Sequence, residues 1–427
     1  MAFSSLGLSP ALLAAVNARA FALPSPIQTL AIPAALLGRD VIACAQTGSG
    51  KTIAYVLPVL QQLVLSAPAQ PRRLRALILV PTRELAAQVG EEVRGFAVQL
   101  ELCPKVVTVF GGVSINVQMM ELRGGADIVV ATPGRLLDLV DHNALSLSEV
   151  TTLVLDEADR LIDLGFAEEL GRVLALLPSQ RQHLLFSATF PPSVQALAAR
   201  LLRDPVRIDV VPPPEALPDI EQRAIAVDPD RRTQLLCRLI QENPWSRVLV
   251  FVATKHASEK VAGKLRKARI DAEPFHGELS QGKRTQVLAD FKASRLKVVL
   301  ATDVAARGLD IAELSAVVNY DLPRSPVDYT HRIGRTGRAG LSGVAISFVT
   351  PEGASHFRLI EKRQHRRVPL ELVAGFEPVV PPEHWARRAD DPEDGPRTGG
   401  VKGRRMSKKD KLRLAAGQAT SPPGGDL

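Results

Sequence analysis

The sequence predicts an α/β protein made of two parallel-sheet domains in tandem, followed by a basic tail. Three observations carry this reading. Short β-branched runs alternate with helical patterns along most of the chain, the signature of βαβ units. The alternation breaks once, in a proline-rich stretch near the middle. After about Phe376 the composition shifts to Pro, Gly, Arg and Asp.

The runs at 77–80, 106–110, 128–131, 152–155 and 184–186 belong to the first half, and those at 248–252, 298–301, 317–319 and 345–349 to the second. Each is short and almost wholly apolar, as strands covered on both faces must be. Between the halves lies Val210-Val211-Pro212-Pro213-Pro214-Glu215-Ala216-Leu217-Pro218. Its prolines cannot join a central ladder, so it reads as a linker. The expected divisions are therefore 1–209, a linker at 210–219, 220–376, and a tail at 377–427. At 427 residues, 46% of them hydrophobic, the chain can build two full cores.

Composition also excludes classes. No apolar run approaches the roughly 18–20 residues of a spanning helix, and the start MAFSSLGLSP lacks a basic segment followed by an apolar core. A cytoplasmic protein is expected. Cys44, Cys103 and Cys237 are far apart and lack metal spacing, so buried free thiols are expected, with neither disulfide nor zinc.

Two phosphate-handling signatures lie in the first half. AQTGSGKT at 45–52 follows the apolar run Val41-Ile42-Ala43-Cys44-Ala45 and precedes a mostly apolar helical stretch at 53–65. That is the strand–loop–helix setting of a phosphate cradle, where backbone N–H groups face phosphate oxygens. Gly48 and Gly50 permit the close approach, with Ser49 between them. Lys51 reaches the β/γ-phosphates and the Thr52 hydroxyl serves Mg²⁺. Ala45 departs from the general pattern, which begins with glycine. The second signature is DEAD at 156–159, delivered to the C-terminal end of a predicted strand, where open α/β sheets bind ligands. Alone, each piece also suits a plain turn or a solvated helix start; the surrounding strands and helices favour the nucleotide reading. HRIGRTGR at 331–338 supplies three arginines to the second half.

With these motifs in order, the chain resembles the DEAD-box ATP-dependent RNA helicases from Phe3 to about Phe376. AFALPSPIQ at 20–28, PTRELA at 81–86, Gly111-Gly112, TPGR at 132–135, SAT at 187–189, VFVATK at 250–255, the Gln281/Arg284 pair and ATDVAARGLD at 301–310 complete the set. GGVSINVQMMELRGG at 111–125 further resembles the RhlE-like bacterial branch. The resemblance implies two RecA-like domains, with ATP and Mg²⁺ bound between them. It implies that Asp156 holds Mg²⁺, Glu157 activates the attacking water, and Arg335 and Arg338 act as arginine fingers. Gln28 would select adenine, with Phe3 as a stacking surface, while Gly308 and Asp310 would face the nucleotide, Asp310 at the ribose. Asp159, Ser187, Thr189 and His331 would couple the two ligands. Ala20 and Ala253 depart from the family's usual glycine and from the arginine often present in RhlE-like relatives.

For RNA, the resemblance implies phosphate contacts from Arg83, Gly112, Thr132 and Arg135 in the first domain and from Gln281, Arg284 and Thr302 in the second. Hydroxyls, glycine N–H groups and arginines grip phosphate without reading bases, so low sequence specificity is expected. A net charge of +8 agrees with a polyanionic partner. At 401–414, seven Lys/Arg against Asp410 leave +6, an expected mobile RNA tether. The implied activity is ATP-dependent, local unwinding of short RNA duplexes. The rival reading is an ATP-gated RNA clamp or scaffold. Intact Lys51, Glu157 and Arg338 favour the enzyme.

Overall fold

The computed structural model describes residues 2–45, 48–66, 71–210, 220–306, 314–337 and 342–385. The expected linker beyond Val210, the basic segment at 401–414, and the site residues Gly308, Asp310 and Arg338 lie outside the described residues. Of the described residues, those up to Val379 form one compact unit, and 380–385 fall outside it.

This unit contains two all-parallel sheets of seven strands. The first sheet is built from β1 (Val41–Cys44), β2 (Ala76–Leu79), β3 (Val106–Val109), β4 (Ile128–Ala131), β5 (Thr152–Leu155), β6 (Gln182–Ser187) and β7 (Val206–Asp209). Their spatial order is β3-β4-β2-β5-β6-β1-β7. The second comprises β8 (Ile220–Ala226), β9 (Val248–Phe251), β10 (Ala272–Phe275), β11 (Val298–Ala301), β12 (Ala316–Asn319), β13 (Gly343–Val349) and β14 (Leu370–Glu371), in the order β10-β11-β9-β12-β13-β8-β14.

Apolar continuity along each strand feeds two cores rather than one, because successive side chains leave opposite faces of a pleated sheet. Val41 and Ala43 enter the core shared with the helix Lys51–Leu65, while Ile42 enters the core on the other face. In the second sheet Val248 and Val250 face one core, and Leu249 and Phe251 the other.

Four strands were not anticipated: β7, β8, β10 and β14. Three of them are sheet edges and β8 adjoins one. Edge strands have one uncovered flank and tolerate polar residues and proline. Hence β7 reads VRID and β10 reads AEPF, sequences without an apolar run.

Among the described residues no helix is long and apolar enough to cross a membrane. Cys44 and Cys237 are half-buried. Cys103 corrects the expectation of buried thiols: it is exposed, in a left-handed turn with φ +34°.

Strand order positions the chemistry. The cradle loop follows β1, DEAD follows β5, and SAT ends β6; these three strands are neighbours in the order β5-β6-β1. PTRELA, TPGR and the paired glycines follow β2, β4 and β3, which form the other half of the sheet. The fold thus collects the two groups of motifs at adjacent stretches of one sheet rim, where parallel sheets place their ligands.

Candidate nucleotide site and nucleic-acid interface

The loop after β1 enters the helix Lys51–Leu65 through Gly48 at φ +87° and Gly50 at φ +91°, angles that glycine alone adopts without strain. A Cβ on Gly50 would lie 2.4 Å from the Gln28 amide nitrogen. Lys51 is buried, and its ammonium donates to the Ala45 carbonyl at 2.6 Å. Ser49 Oγ is buried and partnerless among the described residues. A buried ammonium and an unsatisfied hydroxyl at a helix N-terminus form a donor set that fits phosphate oxygens.

Gln28 is spoken for in this arrangement. Its Oε1 accepts the Ser25 N–H at 2.9 Å, and its Nε2 donates to the Gly50 carbonyl at 3.1 Å. It therefore braces the cradle and caps the helix Pro26–Leu36. Phe3 is only 4% exposed and packs in the first sheet's core, which leaves its ring little free face.

Asp156 stands at the end of β5 and is buried. Tyr55 Oη donates to its Oδ2 at 2.8 Å, and the Glu157 N–H donates to its Oδ1 at 2.8 Å. Burial raises the Asp156 carboxyl above its ordinary range, and the Lys51 charge pulls it back. Asp156 and Thr52 present oxygens, the donor type that Mg²⁺ takes. Glu157 has φ +49°, a backbone conformation costing about 1–3 kcal/mol for a residue with a Cβ. Burial raises its carboxyl, Asp156 raises it further, and Arg335 and Lys51 lower it.

DEAD and SAT are one hydrogen-bonded unit. Asp159 Oδ2 accepts from the Thr189 N–H at 2.9 Å and from its hydroxyl at 2.6 Å. Ser187 Oγ accepts the Asp159 N–H at 3.2 Å and donates to the Thr189 carbonyl at 2.6 Å. Any shift of the helix Ala158–Asp163 must therefore move the SAT turn.

Three links join this rim to the second sheet. Arg160, directly after DEAD, meets Asp328 at 3.1 Å and hydrogen-bonds His331 Nδ1. Arg335 is buried and acts on the Glu157 charge. Arg284 pairs with Glu84 at 2.5 Å, the two side chains being 5% and 6% exposed. Arg284 also lies over the Phe275 ring, 5.3 Å from its centroid.

A guanidinium donating to Nδ1 requires a neutral imidazole. Burial, then the Arg160 charge, lower the His331 pKa from 6.5 to about 4. Separating the two sheets exposes His331 and restores its ordinary value, so between pH 6.5 and about 4 the separated state binds more protons than the joined one. Joining should accordingly strengthen as pH rises through this window and weaken as it falls. Energy transfer between fluorophores on the two domains, measured with ATP and RNA from pH 7 to 5, should show this loss; His331→Gln, which cannot titrate, should flatten it. Equal pH dependence in both proteins would refute the assignment.

The residues expected at RNA occupy the other stretch of rim. Gly112, at φ +81°, admits the Arg83 guanidinium where a Cβ would lie 1.8 Å from it. Thr132 is the N-cap of the helix Pro133–Asp141. Arg135 is held by the Gln118 side chain at 3.0 Å and the Val113 carbonyl at 2.9 Å. Gln281 opens the helix Gln281–Lys292 after β10 with its Oε1 buried and partnerless among the described residues. Thr302 follows β11. All seven are brought to strand ends, but Arg135 and Arg284 already have protein partners.

Sequence reasoning missed Tyr55, Glu84, Arg160 and Asp328. Arg160 had a signal, since it abuts DEAD; the others declare themselves only through contacts. It also left open which arginines of HRIGRTGR are structural. Arg332 is one: it grips Asp303 at 2.6 and 2.7 Å, Asn319 at 3.0 Å and the Asp321 carbonyl at 2.6 Å.

A phosphate cradle, buried carboxylates and a cross-sheet arginine define a nucleotide-hydrolysing protein with two RecA-like domains. The family model for DEAD/DEAH box helicases matches residues 25–197, and that for the helicase conserved C-terminal domain matches 231–340. The chain is 39% identical over 366 residues to the DEAD-box ATP-dependent RNA helicase CshA of Bacillus cereus, covering 86% of this chain and 69% of the relative. It is 40% identical over 370 residues to CshA of Listeria monocytogenes, covering 86% and 70%. Among solved structures, S. cerevisiae Dbp5 bound to RNA and ADP BeF3 matches with a TM-score of 0.74 at 32% identity, over 91% of this chain and 97% of that one. Mss116p bound to ssRNA and AMP-PNP matches at 0.77 and 28%, over 90% and 80%. The chain belongs to the DEAD-box helicase family, and as such it binds and hydrolyses ATP. Both bacterial relatives are CshA proteins; the finer likeness to the RhlE-like branch stays an expectation from sequence.

Proposed function

We propose that ATP and RNA jointly hold the two sheets together, that the joined state separates a short RNA duplex locally, and that hydrolysis releases it. The observations that carry this are the side-chain links between the sheets, Arg160 to Asp328 at 3.1 Å and Arg284 to Glu84 at 2.5 Å, which bring buried Arg335 to where its charge lowers the Glu157 carboxyl. Neither domain alone supplies both the carboxylate and the cation, so turnover waits for joining.

Lys51, Ser49 and the glycine backbone would bind the phosphates, Asp156 and Thr52 would hold Mg²⁺, and Glu157 would take a proton from the attacking water. Mg²⁺, when bound, neutralises phosphate charge. Burial suits Glu157 to its role, since a raised carboxyl accepts a proton more readily than an exposed one. Arg335, together with Arg338, would stabilise charge that develops as the phosphoryl group transfers. Asp159, Ser187, Thr189 and His331 would transmit nucleotide state, because a bond from each ties the DEAD helix to SAT or, through Arg160, to the second sheet. Arg83, Gly112, Thr132, Arg135, Gln281, Arg284 and Thr302 would hold RNA phosphates from both sheets, and Arg284 would bind in concert with its Glu84 partner.

Strand release decides between this and an ATP-gated clamp. Duplexes of about ten base pairs, each step worth about 1–2 kcal/mol of stacking, should separate with ATP and persist with ADP or without nucleotide. Duplexes several times longer should resist. ATP hydrolysis without release from any duplex would establish the clamp instead.

A further inference from the structure

The second domain carries a basic concavity that none of these motifs uses. The helix Ala354–Gln364 buries Ala354, Phe357 and Ile360, leaving its opposite face to solvent. From 358 to 367, five Lys/Arg stand against one acid, a net +4. Arg358, Lys362, Arg363, Arg366 and Arg367 are all exposed. The helix ends at His365 in a left-handed turn with φ +52°, which folds Arg366 and Arg367 back toward Arg358 and Lys362. Together with Glu361 and His365, these four line a concavity of about 610 Å³. Glu361 is turned to the chain reversal, its Oε1 accepting the Val368 N–H at 2.8 Å. Among the described residues no ion pair engages any of the five cations.

The bland explanation is the helix dipole, which favours cations in a last turn. It accounts for Lys362 and Arg363. It does not account for Arg358, more than a turn earlier, or for Arg366 and Arg367 beyond the helix end.

We propose that this concavity is a second RNA-binding surface, which takes the phosphate backbone of the strand flanking the segment held at the main groove. Three of the four cations lining it are arginines, whose forked guanidinium matches phosphate bidentately. No Phe, Tyr or Trp ring lines the concavity, so it lacks the large stacking platforms of single-strand-binding folds. Its position is separate from the main groove. Gln281, Arg284 and Thr302 follow β10 and β11 at one edge of the second sheet, whereas residues 368–369 lead from the concavity into β14 at the other edge. The helix that bears the concavity packs beside the helix Pro326–Ile333, which follows β12, three strands from β10. The proposal rests on the RNA-helicase reading and extends it from a core footprint to the flank.

The test uses the full chain and the triple variant Arg358→Gln, Lys362→Gln, Arg367→Gln, with single-stranded RNAs of about 10 and about 30 nucleotides. RNA affinity is titrated at several salt concentrations. The variant should lose affinity for the long RNA and up to about 2 from its log–log salt slope, at about 0.7 per lost contact. The short RNA should bind both proteins equally, and ATP turnover at saturating short RNA should be unchanged. Arg358→Lys with Arg367→Lys, which keep the charge, should retain the slope. Equal affinity and slope for the long RNA in both proteins would overturn the proposal and point to an acidic protein partner. Equal losses on both RNAs would overturn it as well, by placing the concavity in the main groove. If the unaltered chain shows no RNA-stimulated turnover, the functional reading itself fails, an outcome separable from either.

Discussion

Glu157→Gln is expected to lower RNA-stimulated ATP turnover by about 10²–10⁴-fold, the usual worth of a positioned general base, while leaving ATP-dependent RNA binding in place. The amide keeps the size and the hydrogen-bonding reach of the carboxylate but cannot accept the proton. Its backbone environment should persist, because the strained φ of +49° and the N–H bond to Asp156 belong to the main chain. The substitution also removes a buried charge that burial itself disfavours, so the folded state should not suffer. Turnover is measured at saturating RNA, and RNA binding by anisotropy with and without ATP. Lys51→Ala, by contrast, should weaken both readouts, since it removes the buried cation of the cradle. Wild-type turnover in Glu157→Gln would mean that another group activates the water.

Much of this site was legible in the sequence because phosphate handling imposes local patterns. Glycines must sit where φ is positive, as at Gly48 and Gly50, and the carboxylates must follow a buried apolar strand, as Asp156 follows Thr152–Leu155. The central strands were legible for the same reason: covered on both faces, they consist almost wholly of apolar residues. The edge strands β7 and β10 escaped notice, since VRID and AEPF carry no such run. Tyr55 escaped for a different reason. It sits one helical turn after Lys51 in an apolar stretch and looks like any core aromatic; only the fold brings its hydroxyl to Asp156, a hundred residues on. Arg284 and Glu84 likewise declare a pairing that spans two domains, and no local pattern encodes a contact over such a separation. Gln28 shows the converse, a residue whose spacing was informative but whose amide also serves the helix cap and the cradle.

Arg335→Ala should reduce turnover by about 10³–10⁵-fold, the range for an arginine finger in related phosphoryl transfers, with RNA-free ATP affinity nearly unchanged. The two arginines of HRIGRTGR that the structure describes make this a controlled comparison. Arg332 and Arg335 are both buried and three residues apart, and the family resemblance alone marks Arg335 as the catalytic cation. Their surroundings differ. Arg332 is saturated by Asp303, Asn319 and the Asp321 carbonyl, and stacks on Phe251 at 4.8 Å, so all of its bonding lies within the second domain. Breaking a buried charge network of that kind costs about 3–5 kcal/mol. Arg332→Ala should therefore lower the melting temperature of the second domain, and its loss of activity should follow the loss of folded protein. Arg335 instead acts on Glu157 across the domains. Arg335→Ala should keep the melting temperature near that of the unaltered protein and lose turnover all the same, while Glu157→Gln combined with Arg335→Ala should be little worse than either alone, because the two groups serve one transition state. Calorimetry and steady-state ATPase assays on the three proteins separate these outcomes. If Arg335→Ala turns over ATP at the unaltered rate, or loses activity only in step with unfolding, the cross-domain cation is some other residue and the coupling of joining to hydrolysis does not run through Arg335.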